Sequence, residues 1–314
     1  MTLAAEAPDL DVLTGFKGPV FGFAHHRGFT HSFLGLFIVC AVVVGFMCLV
    51  WLLRGRRTNI PNLPPRWGLL FVFAYIAGLS HILLDFTNNY GVRPFWPFWE
   101  KWFSWDVSFI LEPPMLLFLL AGLLLPLFFS RRKPAPRGST AARLALLCVV
   151  ALWAVRWHEV NLIEGALNEQ HFDSETPLRV SAYPYWTRAP RWLIAMHWSA
   201  VVETSKSFIT SDVNPSTGAL DPAGRMVLPK PPETPATLAA KRSYLGRAYL
   251  DWARYPLVTE TSEGEDSIVY FQDLRFGYRS LRRNSILSAS VKLDSNLRIV
   301  GEAMGPRAQS PPLD

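Results

Sequence analysis

The chain has 314 residues, 50% of them hydrophobic and 18% charged, with a mean hydropathy of +0.17 and a formal net charge of +6 at pH 7. It is too apolar for an ordinary soluble enzyme and too polar to lie wholly in lipid, so a membrane part and a soluble part are expected. Lys and Arg fall in short clusters beside apolar runs, with no groove-reading motif, which argues against nucleic acid as a partner and for orientation in a membrane.

The first motif is PDLD, Pro8 to Asp11. Carboxylates spaced like Asp9 and Asp11 suit hard or borderline cations, and equally suit a solvated turn. AHHRGFTHS follows, Ala24 to Ser32, with three of the chain's seven histidines. Thr30 is expected to cap a helix, holding His31 in its opening turn and His26 in the loop before it. The three histidines read either as metal ligands or as polar residues at a helix entrance.

Ser32 to Leu53 carries no charge, and at about 1.5 Å per residue it reaches about 33 Å, enough to cross the hydrocarbon core. Trp67 to Phe86 is a second span, interrupted near its end by His81 and Asp85. Residues four apart share a helix face, so this pair can bind one cation or form a local ion pair. Ionisable groups in a membrane segment usually face a partner, a cavity or a pathway. SWDVSFILEPP then adds Asp106 and Glu112, ordinary loop charges unless they share a face with the histidines. Pro113 to Phe129 is a third apolar segment and Arg143 to about Ile163 a fourth, crowded late by Arg156, His158, Glu159 and Glu164.

Arg54, Arg56, Arg57 and Arg66 separate the first two spans, and Arg131, Arg132, Lys133 and Arg137 the last two, without an acid in either loop. Both loops are expected in the cytoplasm. The amino-terminal motifs, the loop from Asn88 to Glu112 and everything after about Asn168 then lie outside, so the candidate ligands converge on the outer face. The expected organisation is a multi-pass helical membrane domain over residues 1–167, with about four transmembrane helices, and an extracytoplasmic soluble α+β domain over 168–314. In the latter, RWLIAMHWSAVVET, SIVYFQDLRFGY and SILSASVKLDSNLRIV read as strands of an antiparallel sheet, with a turn at Asp294 to Asn296. TLAAKRSYLGRAYLDWARY reads as one helix with Leu245, Tyr249 and Trp252 on its apolar face. Cys40, Cys48 and Cys148 all lie in apolar runs and suggest no disulfide framework.

Taken together, the His-Arg-Gly-x-Thr-His-Ser and His-x-x-x-Asp motifs, the Tyr-Gly…Trp-Pro-Phe run, and SAYPYWTRAPRW…VVET with FQDLRF resemble the YdjM-like family of bacterial inner-membrane proteins, described as membrane-bound metal-dependent hydrolases. The resemblance implies His26, His31, His81 and Asp85 as ligands, with Asp9, Asp11 and Asp106 as further acidic positions. It also implies a membrane helix before Pro8, of which MTLAAEA would be the tail, and an Asp-Pro pair where this chain has Glu112.

Histidines and carboxylates at a lipid–water boundary suit a divalent metal, zinc or manganese and one or two ions, that activates water for hydrolysis. A phosphoester or ester of a lipid-like molecule is the expected substrate, with membrane lipid as the surrounding partner. His81 and Asp85 are the expected catalytic pair, and Arg27 a phosphate-pairing residue. A non-catalytic metal-stabilised membrane protein is the alternative. A transporter fits less well, because the middle of the first span is uninterrupted.

Overall fold

The computed structural model describes residues 1–55, 65–129, 138–188, 194–276 and 287–305. Arg56, Arg57, Arg131, Arg132, Lys133 and Arg137, which carry most of the expected orientation signal, lie outside the described residues. Among the described residues, three helices are long and apolar enough to cross a membrane, and a shorter apolar helix lies between the second and third. A carboxy-terminal region with two four-stranded antiparallel sheets follows. The contacts divide the chain into two units: residues 1–86, 90–104 and 231–314 form one, and residues 87–89 and 105–230 the other.

The first unit opens with α1 (Thr2–Glu6), a 3-10 helix over Ala7–Lys17, and α2 (Pro19–His25). The first spanning helix, α3, covers Phe33–Gly55, and the second, α4, covers Trp67–Thr87. Ser32, rather than Thr30, caps α3: its hydroxyl accepts the Gly35 N–H at 2.9 Å and its carbonyl the Leu36 N–H at 2.8 Å. Thr30 is instead inside a short 3-10 turn, Phe29–His31, which delays the helix by two residues. α3 and α4 approach closely where Gly78 faces the fully buried Leu36, whose side chain occupies the space of a Cβ at position 78. Ala4, Cys40, Ala74, Ile82 and Val92 complete this small core, while outward side chains such as Val42, Phe46 and Ile76 are exposed, as lipid-facing residues are.

The same unit contains α7 (Pro235–Lys241), α8 (Tyr244–Trp252), β5 (Pro256–Glu263), β6 (Asp266–Asp273), β7 (Ala289–Leu293) and β8 (Ile299–Met304). The single helix expected over this stretch is two helices. Ser243 starts the second by accepting the Gly246 N–H at 2.9 Å, and a helix that is capped anew cannot run through. The expected face survives, with Leu245, Tyr249 and Trp252 all buried against the sheet. β5 to β8 form a meander, and the last turn falls where Asp294 accepts the N–H groups of Asn296 and Arg298 at 2.9 and 2.8 Å.

The second unit pairs the apolar helix α5 (Pro113–Phe129) with α6 (Gly138–Asn168). Gly122 allows the approach, because a Cβ there would meet that of Ala145. β1 (Arg179–Arg188), β2 (Ile194–Glu203), β3 (Ser207–Asp212) and β4 (Met226–Pro229) form its meander. Val160, Ile163 and Leu167 of α6 pack on Ala182, Trp198, Ala200 and Val202 of this sheet.

Candidate metal centre

In the first unit, oxygen and nitrogen atoms of Asp9, His31, His81 and Asp85 all lie within 4.8 Å of one another. Two come from the amino-terminal motifs and two from the last two turns of α4. The Leu36–Gly78 contact explains the meeting, since Leu36 follows His31 by a little over one helical turn and Gly78 precedes His81 by less than one. Closing α3 onto α4 at that level brings the two motifs together.

His31 is the centre of the arrangement and is completely buried. Its Nδ1 lies 3.3 Å from Asp11 Oδ2, and its Nε2 lies 3.3 Å from Asp9 Oδ1 and from Asp85 Oδ2. His81 Nε2 faces the same two oxygens, at 3.3 Å from Asp9 Oδ1 and 3.5 Å from Asp85 Oδ2. The 3-10 geometry separates Asp9 from Asp11, two residues apart on three residues per turn, so they reach opposite nitrogens of one imidazole. The Asp9 side chain is 52% exposed and marks the open side of the group, against 14% for Asp85 and 16% for His81.

A second ring of contacts holds these side chains. Asp11 accepts the Arg27 N–H at 2.7 Å and pairs with His26 Nδ1 at 3.2 Å. Arg27 has a left-handed backbone, φ 51°, which turns that N–H toward Asp11. Its guanidinium donates to Asp85 Oδ1 at 2.6 Å and to the Gly91 carbonyl at 3.1 Å, and lies over the Tyr90 ring. Tyr90 is in turn backed by Trp252, whose indole N–H donates to the Tyr90 carbonyl at 3.2 Å. The carboxy-terminal helices of this unit thus support the site, which no single motif announces. The signal available in the sequence is the Tyr90–Gly91 pair itself, with Gly91 at φ 87° where Phe103 leaves no room for a side chain.

The electrostatics suit a cation. His31 Nε2, His81 Nε2 and Asp85 Oδ2 are buried without a hydrogen-bond partner, which is expensive unless something binds them. Burial alone would lower the His31 pKa, but the carboxylates of Asp11, Asp85 and Asp9 that face its ring outweigh it and push the value up to about 10. The Asp9 carboxyl is held below the usual range, mainly by its contact with His31. Burial opposes ionisation of Asp11, and His26 with His31 more than compensate, so it too stays well below that range. Two imidazoles and two carboxylates, with His31, His81 and Asp85 each turning inward a buried atom that makes no hydrogen bond, are a donor set that a divalent ion fits.

The remaining residues singled out from the sequence occupy other places. His26 and Asp11 form the second ring behind His31, and Arg27 is spent on Asp85 and Gly91. His25 is exposed and stacks on Phe21. Asp106 belongs to the second unit, is buried with φ 59°, and is not one of the four clustered residues. Glu112, also in that unit, accepts from Arg156 Nη2 at 3.1 Å, the Phe109 N–H at 3.0 Å and the Trp186 indole at 3.4 Å.

The model of the YdjM inner membrane protein family matches residues 1–161, the part that carries the whole His/Asp cluster. Inner membrane protein YbcI of Escherichia coli (strain K12) is 39% identical over 114 residues. That match covers 33% of this chain and spans 57% of YbcI. No solved structure matches the chain.

Proposed function

The chain belongs to the YdjM inner membrane protein family, and from that premise we propose that it is a membrane-bound, metal-dependent hydrolase acting on a phosphoester or ester of a lipid-like substrate at the outer membrane–water interface. One observation carries the reading: His31 Nε2, His81 Nε2 and Asp85 Oδ2, buried and unpartnered, gather with Asp9 at the ends of two spanning segments. Asp9, His31, His81 and Asp85 would hold one divalent ion, zinc or manganese, since four donors so close together suit a single ion. Bound there, the ion supplies Lewis-acid chemistry, lowering the pKa of water and neutralising charge that develops on an ester oxygen.

The protein's own groups make that site selective and rigid. Asp11 Oδ2 at 3.3 Å and the Thr30 hydroxyl at 3.2 Å both face His31 Nδ1, which favours the tautomer with the Nε2 lone pair directed inward. Arg27 engages one oxygen of Asp85 and leaves the other, Oδ2, for the cation. Asp9 sits at the exposed edge, so substrate enters past it. His81 and Asp85 act in catalysis as ligands rather than as proton carriers.

The test is metal analysis of the purified protein in detergent, followed by hydrolysis assays on phospholipids and carboxylic esters. Stoichiometric zinc or manganese and turnover that stops on chelation are expected. Turnover indifferent to chelation ends the proposal.

A further inference from the structure

The hydrolase reading leaves open whether the substrate is a neutral ester or an anionic phosphoester, and a cavity beside the cluster decides it. The cavity has a volume of about 440 Å³ and is lined by Asp11, Thr14, Thr30 and Arg93 together with apolar Leu10 and Trp96. Through Asp11 it abuts the residue that holds His31. On the basis of that proposed function, we infer that this cavity seats the phosphate headgroup of a lipid, with Arg93 as the cation that recognises it.

Arg93 is built for such a role. Its side chain is only 11% exposed, its guanidinium lies over the Trp102 ring, and burial lowers its pKa. The Nε is buried without a partner, and among the described residues the one carboxylate that pairs with Arg93, Asp251, meets Nη1 at a long 3.3 Å and is itself 45% exposed. Asp251 also accepts the Trp102 indole N–H at 3.0 Å, so its charge is shared. Arg93 Nη2 points toward Gly28, 3.4 Å from where a Cβ there would stand, so the missing side chain keeps the cavity wall open at the guanidinium. A planar, under-paired guanidinium with a fork of donors is the group that matches a phosphate. Arg27 cannot serve, because its fork is committed to Asp85 and Gly91.

The carboxylate in the wall does not oppose this assignment, since Asp11 is matched by His26, by His31 and by the Arg27 N–H. The apolar lining distinguishes a lipid headgroup from free phosphate: Leu10 and Phe29 are 57% and 40% exposed at the cavity edge, where an acyl chain would leave it.

The experiment uses the full chain in detergent, loaded with zinc, and titrates dihexanoyl phosphatidate, inorganic phosphate and neutral dihexanoylglycerol by calorimetry. Phosphatidate is expected to bind at least about tenfold more tightly than either other probe. Arg93→Gln should weaken phosphatidate by about tenfold or more with metal content unchanged, and Arg93→Lys by less. Asp251→Asn, which frees the guanidinium from its competitor, should tighten it. Phosphatidate affinity unaltered by Arg93→Gln overturns the inference, as does inorganic phosphate binding as tightly as the lipid. Metal loss in Arg93→Gln, or weakening in Asp251→Asn, overturns it as well by showing a structural role. If phosphatidate binds through Arg93 and is never hydrolysed, the headgroup site stands and the hydrolase reading falls. If phosphatidate is hydrolysed equally by wild type and Arg93→Gln, the hydrolase reading stands and the headgroup site falls.

Discussion

Asp11 Oδ2 lies 3.3 Å from His31 Nδ1, on the side of the imidazole away from Asp9 and Asp85. The carboxylate therefore orients the ring and stays behind it. Asp11→Asn should leave the four inward donors in place while weakening metal affinity by about 10- to 100-fold, the range typical for a lost orienting partner. Competition with a chelating dye measures this. A mutant that binds as tightly as wild type would remove Asp11 from the site's workings, and complete metal loss would make it a direct ligand.

His81→Ala and Asp85→Asn should each strip bound metal and abolish metal-dependent turnover without preventing membrane insertion, because α4 stays apolar around them. Asp85→Asn keeps size and hydrogen bonding, so its effect isolates the charge. Metal content, melting temperature and hydrolysis should be compared in one detergent. A fall in melting temperature with hydrolysis intact would favour a metal that only pins helices.

Much of this site was legible in the sequence, and the reason is local. His81 and Asp85 share a helix face by spacing alone, and three histidines beside a helix start stand out in a chain with seven. The family read from those motifs is the one whose model matches. The division of labour was not legible. Whether Asp9 or Asp11 faces the inward nitrogen depends on a 3-10 helix, and Arg27 reaches Asp85 only from a left-handed backbone. The strands followed the same rule. β2, β6, β7 and β8 lie in the three runs rich in β-branched and aromatic residues, whereas β1, β3, β4 and β5 went unrecognised because proline or polar residues interrupt them, as at Pro184 and Glu260.

Metal affinity should rise with pH. The His31 pKa of about 10 in the folded chain exceeds its unfolded value of about 6.5. Its protonated form therefore contributes stability that is complete below about 6.5 and lost as pH rises through about 10. A cation must displace that proton, so affinity should strengthen up to about tenfold per pH unit between 6.5 and 9, with proton release on binding. Calorimetry in buffers of different ionisation enthalpy counts the protons. Binding that is flat over this range would show that His31 is not a ligand.

Orientation is testable independently of chemistry. The arginine-rich connection after α3 should face the cytoplasm and the exposed Glu100, in the loop after α4, the outer side. Single cysteines at Arg57→Cys and Glu100→Cys, in a background without Cys40, Cys48 and Cys148, can be probed with an impermeant maleimide in spheroplasts. Labelling at 100 and not at 57 is expected, and the opposite pattern would invert the topology and move the site to the cytoplasmic face.

The geometry of the helix pair yields the last prediction. Gly78 packs against Leu36, and a side chain at position 78 must displace the buried Leu36 side chain, which strains α3 against α4 at the level that joins His31 to His81. Gly78→Val removes no ligand, yet it should destabilise the unit by about 1–3 kcal/mol through overpacking and lower metal affinity by spreading the four donors. Leu36→Ala alone leaves a void and should also destabilise, by about 2–5 kcal/mol. Combined, the two changes exchange volume across the same contact, so the double variant should regain part of both losses rather than add them. Melting temperature and metal affinity for the four proteins complete the cycle. Additive losses would show that the Leu36–Gly78 contact does not set the distance between the motifs, and the convergence of His31 on His81 would then need another cause.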